Sequence, residues 1–243
     1  MRRLFPLVTL ALLALAGCLQ MEQTVTLDAK GSGTHEVSLT MPESVLAAIQ
    51  RAAPANQTAA ASNPMALFDK EAVGKELKAA GIELVEHAPE TIGKTRRVKI
   101  TTKFDSPATL RKSPLTGSAA EWEFAPGPKA GTTRVTLYPQ GKQAWVDARA
   151  KVIDGKVAVD AVANEFFEKR KSQIQGLDVL VRFRLPGKVI EFTRNLELTG
   201  EQEVTAHITA EQIKTPEDLI RRLAPRFEVV FDSSAIEVPV DRS

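Results

Sequence analysis

The sequence predicts an α+β fold in which a mainly antiparallel β-sheet packs against a long amphipathic helix and a pair of shorter helices. Short segments that alternate apolar and polar residues, which is typical of half-buried strands, recur along the chain. Residues 143–175 instead place apolar residues at alternating three- and four-residue steps, the pattern of an amphipathic helix. Shorter helical patterns cover residues 43–53 and 65–80.

The first two predicted strands form a β-hairpin. In residues 23–27, Val25 and Leu27 face one side and the threonines face the other, and residues 35–41 alternate in the same way. Residues 28–33 between them have turn chemistry, with two glycines that tolerate a positive φ. Two alternating segments joined by such a turn predict a hairpin.

Two short helices are predicted next. Pro42 stands at a first helical position, and residues 43–53 continue with an apolar face. A second helix covers about residues 65–80, and Gly81 is placed to cap its end. Residues 54–64 between the helices are rich in Ala, Asn, Ser and Thr without periodicity, which predicts a flexible loop.

The middle of the chain returns to strand patterns. Residues 97–104 alternate an apolar side with a basic side, and residues 121–124 alternate two aromatic residues with two glutamates before a turn at 126–131. We interpret the two charged rows as cross-strand neighbours on one solvated face. The rows are Arg97, Lys99 and Lys103 on one strand, and Glu121 and Glu123 on the other.

The helix predicted over residues 143–175 carries an apolar stripe. The phase of the stripe survives across Gly155, so the segment is either one long helix or two helices broken at that residue. We interpret the stripe as core contact with the sheet, with a partner-helix or lipid-facing groove as the alternative. The stripe consists of Trp145, Ala148, Val152, Val159, Val162 and Phe166.

The last third of the chain predicts further strands and one short helix. Residues 177–185 and 203–209 alternate strongly, and residues 227–231 form a closing strand. Residues 216–222 predict a helix with Thr215 as its N-cap. The tail from about residue 233 is predicted to be loose.

The N-terminus has the features of a signal peptide. Arg2 and Arg3 precede an apolar segment, residues 4–16, which spans only roughly 20 Å as a helix and is too short for a stable transmembrane span. Leu15-Ala16-Gly17-Cys18 resembles a bacterial lipobox. The resemblance implies that residues 1–17 are removed, that the Cys18 thiol carries diacylglycerol, and that the new amino terminus is acylated, for example with palmitate.

An ordinary secretory signal is the alternative. Ala14-Leu15-Ala16 also fits the small-x-small pattern of signal peptidase I, and Cys18 would then be a free thiol. Under the lipoprotein interpretation, Leu19 replaces the Asp that is associated with inner-membrane retention, which favours the outer membrane, facing the periplasm, in a two-membrane cell. Residues 18–243 are predicted to form a single domain.

The charge balance excludes one class of partner. The chain has 32 Lys and Arg against 30 Asp and Glu, and removal of Arg2 and Arg3 leaves equal numbers in residues 18–243. A neutral chain argues against nucleic acid as a partner, because such proteins carry a basic footprint. Cys18 is the single cysteine, so no disulfide within the chain is possible.

The search for catalytic chemistry finds no motif. The three histidines, His35, His87 and His207, are scattered without metal-ligand spacing; two lie at outward positions of predicted strands, and we interpret all three as solvated surface residues. The signatures of serine nucleophiles do not occur, and Gly31-Ser32-Gly33 lies between two strands as a hairpin turn rather than a phosphate cradle. The sequence therefore predicts neither a metal nor a cofactor, and a protein that is not an enzyme.

Several segments resemble the bacterial LppM-type lipoprotein domain. They are the lipobox Cys18, the turn at 28–33, the strand that ends in Met41-Pro42, and the run from Gly176 to Lys188, which includes Leu185-Pro186-Gly187. The resemblance covers the two ends of residues 18–243. It implies an α+β body with an antiparallel sheet that could hold a lipid, and it offers no catalytic residues.

The sequence thus predicts a lipid-anchored cell-envelope protein with a non-catalytic binding role. The expected ligand is an envelope lipid or another apolar molecule, held in a groove between the sheet and the long helix that is lined by Trp145, Val152, Val159 and Phe166. A protein-partner or scaffold module is the alternative, and it requires an exposed apolar patch. A periplasmic hydrolase is a third hypothesis, which requires histidines or paired carboxylates to converge in space.

Overall fold

The computed structural model describes residues 20–52, 64–152, 161–171, 174–236 and 238. The predicted signal peptide, Cys18 and residues 54–63 of the predicted loop lie outside this range. Pro64, the last residue of that loop, begins a short 3₁₀-helix.

Eleven strands and six α-helices are formed by the described residues. The strands are β1 (Gln20–Leu27), β2 (Gly33–Pro42), β3 (Glu83–Ile92), β4 (Thr95–Phe104), β5 (Glu121–Pro126), β6 (Thr132–Tyr138), β7 (Asp178–Arg184), β8 (Val189–Phe192), β9 (Glu197–Gly200), β10 (Glu203–Thr209) and β11 (Phe227–Asp232). The helices are α1 (Glu43–Ala52), α2 (Lys70–Ala79), α3 (Pro107–Leu110), α4 (Lys142–Val152), α5 (Ala161–Lys171) and α6 (Pro216–Leu223). Short 3₁₀-helices cover Pro64–Phe68, Pro114–Thr116 and Ala210–Gln212.

The strands form two sheets. The larger sheet has seven strands in the order β3-β4-β2-β1-β7-β10-β9, and the smaller has four in the order β5-β6-β11-β8. Neighbouring strands are antiparallel except β1 and β7, which pair in parallel at the centre of the larger sheet. The predicted α+β class with a mainly antiparallel sheet is confirmed.

One face of the larger sheet is buried over its five central strands, whereas the edge strands β3 and β9 are largely exposed. Val25 pairs with His35 and Gln23 pairs with Val37, so these side chains point to the same face. The half formed by β1, β7 and β10 packs on the smaller sheet, and this core includes Phe124, Phe183 and Phe231. The half formed by β2 and β4 is covered by α1, α2 and the first 3₁₀-helix, and this second core includes Ile100 and Leu77.

The predicted hairpin and the predicted strand phases are confirmed. β1 and β2 pair from Gln20 with Thr40 to Leu27 with Gly33. On β4 the three predicted inward residues are buried and the three predicted outward residues are exposed. The inward residues are Val98, Ile100 and Phe104, and the outward residues are Arg97, Lys99 and Lys103.

The predicted pairing of the two charged rows is wrong. β4 belongs to the larger sheet and β5 to the smaller one, because residues 105–120 cross from one sheet to the other through α3 and a 3₁₀-helix. Lys99 Nζ lies 2.9 Å from Glu86 Oε2 on β3, and Lys142 Nζ lies 2.7 Å from Glu123 Oε1. Each row therefore finds its counter-charges elsewhere.

Two details of the predicted short helices are also corrected. Pro42 is the last residue of β2 rather than the first of a helix. The second helix begins at Lys70 and not near residue 65, because the Asp69 side chain accepts hydrogen bonds from the backbone N–H groups of Glu71 and Ala72 and so caps the helix. Gly81 has φ 75° directly after the helix, as its predicted capping role requires.

The predicted long helix is described in two parts. α4 and α5 lie on either side of residues 153–160, which fall outside the described range. Gly155 is one of these residues, so the choice between one long helix and two helices broken at Gly155 stays open. Both helices pack on α6. On α5, Phe167 is buried in the core between the sheets.

Residues 233–236 and Val238, which belong to the predicted loose tail, are packed in the structure, and residues 237 and 239–243 lie outside the described range. Ser233 N donates a hydrogen bond to Gly131 O at 2.8 Å. Val238 is 8% exposed and belongs to the core between the sheets. The hydroxyl of Thr133 on β6 donates to Ser233 Oγ, so β6 ties this segment to the smaller sheet.

In the described part of the chain, no helix combines the length and apolar character needed to span a membrane.

Candidate functional site

Trp145 on α4 is the residue of the predicted groove whose surroundings are described. Its ring packs against Tyr138 at a centroid distance of 5.8 Å. The guanidinium group of Arg226 lies 4.7 Å from its ring centroid, and that of Arg149 lies 5.5 Å away. Trp145 is half-buried, and two cations contact its π-system.

The other three predicted groove residues cannot be placed around Trp145 from their side chains. Val152 ends α4 and Phe166 lies on α5, but the side chains of both lie outside the described set. Val159 lies in residues 153–160, which are also outside it. The four-residue apolar groove therefore stays a prediction.

A pocket of about 560 Å³ opens beside Trp145. Four segments that are distant in sequence form it: α4, the connection between β8 and β9, the end of β10, and α6 with the residues that follow it. The lining residues are Trp145, Ala148, Arg149, Thr193, Arg194, Asn195, Ile208, Asp218, Arg221, Arg222, Ala224, Pro225 and Arg226. Trp145, Ile208 and three small or imino residues supply apolar surface, and five arginines supply positive charge.

The single carboxylate in the pocket wall is engaged by backbone donors. Asp218 Oδ2 accepts hydrogen bonds from Lys214 N and Thr215 N, both at 3.1 Å, and the Thr215 side chain accepts one from Asp218 N. Burial raises the pKa of Asp218, but these donors outweigh it and hold the pKa below its usual value. Asp218 is therefore charged at neutral pH and acts as part of a capping box at the start of α6.

The arginines are mostly unpaired. Arg226 Nη1 lies 3.8 Å from Glu228 Oε2, which is a long contact. Within the described range, Arg149, Arg194 and Arg221 form no ion pair with a carboxylate, and all three are exposed. The pocket wall thus carries an excess of positive charge beside an aromatic ring, an arrangement suited to anions.

Sequence reasoning missed these arginines. Arg221 and Arg222 lie in the last turn of α6, where cations are ordinary because they complement the helix dipole. Arg149 and Arg194 stand alone in sequence, more than forty residues apart. The available signal was the density of arginine in residues 221–226, which taken alone does not predict a pocket.

A second pocket, of about 540 Å³, lies at the opposite end of the larger sheet. Its wall includes Asp28, Arg184 and Glu203. Arg184 Nε donates to Glu203 Oε2 at 2.8 Å, and Asp28 accepts hydrogen bonds from its own turn. Because these charged groups already have hydrogen-bond partners, this pocket has fewer free polar groups for a ligand than the arginine-lined pocket.

The interpretation of His35 as a solvated residue is wrong. His35 is fully buried on the inner face of the larger sheet, between the two apolar cores. The amide Nε2–H of Gln23 donates to His35 Nε2 at 2.9 Å, and Ser113 Oγ lies 3.4 Å from Nδ1. The alternation of β2 contains the signal, because His35 has the same parity as Val37. Burial lowers the pKa of His35 to about 4.

The other two histidines lie elsewhere. His207 is exposed, as predicted, with Nε2 at 2.7 Å from Asp178 Oδ1. His87 is half-buried, with Nε2 at 2.9 Å from Leu67 O. The histidines are not brought together, and within the described residues no group of three or more His, Cys, Asp or Glu side chains could hold a metal ion.

The pocket and the fold define an α+β protein of two sheets with a cationic, aromatic-walled cleft. No protein-family model and no curated protein sequence matches the chain. Among solved structures, the chain is similar to the NMR structure of the folded domain of LppM from Mycobacterium tuberculosis, with a TM-score of 0.44 and 8% identity. That similarity covers 88% of this chain and 89% of the LppM domain.

Proposed function

We propose that this protein is a lipid-anchored cell-envelope lipoprotein that binds an envelope lipid or another apolar ligand and has no catalytic role. The observation that carries the proposal is the pocket of about 560 Å³ at Trp145. Ligand sites have volumes of roughly 300–1,000 Å³ and combine apolar surface with a few polar groups. The Trp145 pocket meets both conditions.

The predicted anchor would hold this pocket close to a membrane. β1 begins at Gln20, three residues earlier than the sequence predicts and only two residues after Cys18. Two extended residues reach at most about 7 Å. If Cys18 is lipidated, the folded body therefore lies against the bilayer with almost no tether.

The ligand is tested by mass spectrometry of co-purified lipid. Protein lacking residues 1–18 retains every described strand and helix, and it is purified after exposure to envelope extract. We expect organic extracts to contain lipid for this protein and for Phe192→Ala, a control that removes an exposed aromatic residue on β8. We expect Trp145→Ala to lose it. Extracts free of lipid for the unsubstituted protein contradict the ligand proposal.

The anchor is tested separately. The N-terminal peptide of the membrane-bound protein is expected to begin at Cys18 with two or three acyl chains, and Cys18→Ala is expected to lose both the acyl chains and membrane fractionation. An unmodified peptide that begins at Gly17 contradicts the anchor and identifies a diffusible exported protein.

A partner-binding role is the second candidate, favoured by exposed apolar residues on two edge strands. Ile190 and Phe192 lie on β8, the edge of the smaller sheet, and Leu198 lies on β9, the edge of the larger sheet. Edge strands with exposed apolar side chains are the usual place for strand addition by a partner. A discrete cross-linked adduct in cells that is lost in Phe192→Ser and Leu198→Ser, but kept in Trp145→Ala, supports this role over lipid binding.

A further inference from the structure

We infer that the arginine-lined pocket docks the protein onto the phosphate groups of anionic membrane lipids, on the same side of the molecule as the N-terminal anchor. The inference rests on the proposed function, because it deepens the proposed lipid binding by naming the recognised group. It also adds an orientation: the end of the sheets that carries the pocket faces the bilayer.

The first step is the chemistry of the pocket wall. Arg149, Arg194 and Arg221 are exposed and form no ion pair with any described carboxylate. Unpaired guanidinium groups that converge on one cleft are suited to phosphate oxygens, which they bind through two parallel N–H donors. The one acidic residue of the wall, Asp218, is held by Lys214 N and Thr215 N.

The second step is the position of the pocket relative to the chain start. Gln20, the first residue of β1, pairs with Asp178 on β7, and Asp178 pairs with Thr209 on β10. Ile208, the neighbour of Thr209, lines the pocket. Adjacent strands lie about 4.8 Å apart, so the pocket wall begins roughly 10 Å from the start of β1. Anchor and pocket therefore share one end of the larger sheet.

The third step is the rest of that end. On β2, Thr40 pairs with Gln20, the first residue of β1, and Pro42, two residues further along β2, pairs with Thr95, the first residue of β4. The turn between β3 and β4 therefore projects at the same end of the larger sheet as the start of β1. This turn exposes Ile92, with 59% of its surface accessible, and carries the exposed Lys94 two residues later. An exposed apolar side chain beside a cation is suited to the interface between headgroups and acyl chains, as is the half-buried ring of Trp145.

The opposite end provides a matched control. The turn between β1 and β2 carries Lys30, Lys103 pairs with Thr34 next to that turn, and Lys129 lies in the turn before β6. All three are exposed, and they carry the same charge as the three unpaired arginines. Removing three charges there changes the net charge equally without touching the pocket.

The test is flotation of protein lacking residues 1–18 with vesicles at low salt. We expect binding to vesicles of phosphatidylcholine mixed with phosphatidylglycerol, loss of binding at high salt, and little binding to phosphatidylcholine alone. Replacing Arg149, Arg194 and Arg221 with Gln is expected to weaken binding on the order of 100-fold, because each cation near an anionic surface contributes about a fivefold factor. Replacing Lys30, Lys103 and Lys129 with Gln is expected to leave binding within about threefold. Circular dichroism verifies that both triple variants are folded.

Four outcomes overturn the inference. Equal binding to neutral and anionic vesicles would show that the pocket does not recognise the phosphate groups of anionic lipids. Equal loss of binding in both triple variants would show that binding depends only on the net charge of the protein. Binding of glycerol phosphate in solution as tightly as vesicles identifies a soluble phosphate ester as the ligand. If lipid co-purifies with the protein but replacing the three arginines leaves vesicle binding unchanged, the proposed function stands and this inference fails.

Discussion

His35 should make the protein lose stability in mild acid. The side chain is fully buried, and its Nε2 accepts a hydrogen bond from the Gln23 amide, which requires that nitrogen to be unprotonated. Protonation would place the Nε2–H of His35 opposite the amide N–H of Gln23, so that two donors face each other. It would also place a charge between two apolar cores. The neutral ring is therefore the form that the folded state accepts.

The size of the effect follows from the pKa of His35, which burial lowers from 6.5 to about 4. A folded-state pKa below the unfolded one means that the unfolded chain takes up the proton first as the pH falls. The stability is complete above pH 6.5 and is lost progressively down to about pH 4. At about 1.4 kcal/mol per pKa unit, the total loss from this one residue is about 3 kcal/mol.

The assay is urea unfolding between pH 7 and pH 4.5 of protein lacking residues 1–18, compared with the variant His35→Gln. Glutamine keeps hydrogen-bonding groups in the site but does not titrate. We expect the variant to be less stable at pH 7 yet to lose about 2 kcal/mol less than the wild type over this range. Carboxylates such as Glu203, whose pKa Arg184 holds below its usual value, lose their stabilising effect only at lower pH. Parallel pH profiles for the two proteins would refute the buried, neutral His35.

Three further changes test the packing and the local geometry, all read as free energies of unfolding in urea. Phe124 is fully buried between the two sheets, so Phe124→Ala is expected to cost about 3–5 kcal/mol, and a loss below about 1 kcal/mol would contradict that core. Thr215→Ala removes the capping box of α6 and is expected to cost about 1 kcal/mol; an unchanged value would show that the cap is not formed. A Cβ added at Gly33 would lie 1.8 Å from the Thr26 carbonyl oxygen, so Gly33→Ala is expected to cost about 1–3 kcal/mol. Gly74→Ala, in the interior of α2 with its nearest atom at 3.8 Å, is its control and is expected to stabilise by about 0.5–1 kcal/mol.

The strands were predictable because their signal is local. A strand places successive side chains on opposite faces, so the alternation around Val98 and Ile100 states both the conformation and the buried side. The hairpin of β1 and β2 was predictable for the same reason, since its turn lies between two alternating segments. The Thr215 cap was readable because a capping box involves only four consecutive residues.

The pairing of distant segments was not predictable. The alternation of β4 and β5 does not indicate which sheet each strand joins. The predicted contact of Lys99 with the glutamates of β5 is therefore wrong, and Lys99 contacts Glu86 on β3 instead. The parallel pairing of β1 with β7 joins residues that are more than 150 positions apart. Periodicity reports which face of a strand is buried but not what buries it.

The sequence by itself determined the class of the fold, because strand alternation and helical periodicity are short contiguous patterns. The lipid anchor, which the lipobox-like residues before Cys18 indicate, stays a prediction. Only the tertiary structure decided the candidate site. The pocket takes Arg149 from α4, Arg194 from a strand connection and Arg221 from α6, and their meeting beside Trp145 depends on how two sheets and three helices pack. A charged residue on a surface carries no local periodic signal for its partners, because long-range packing alone selects them.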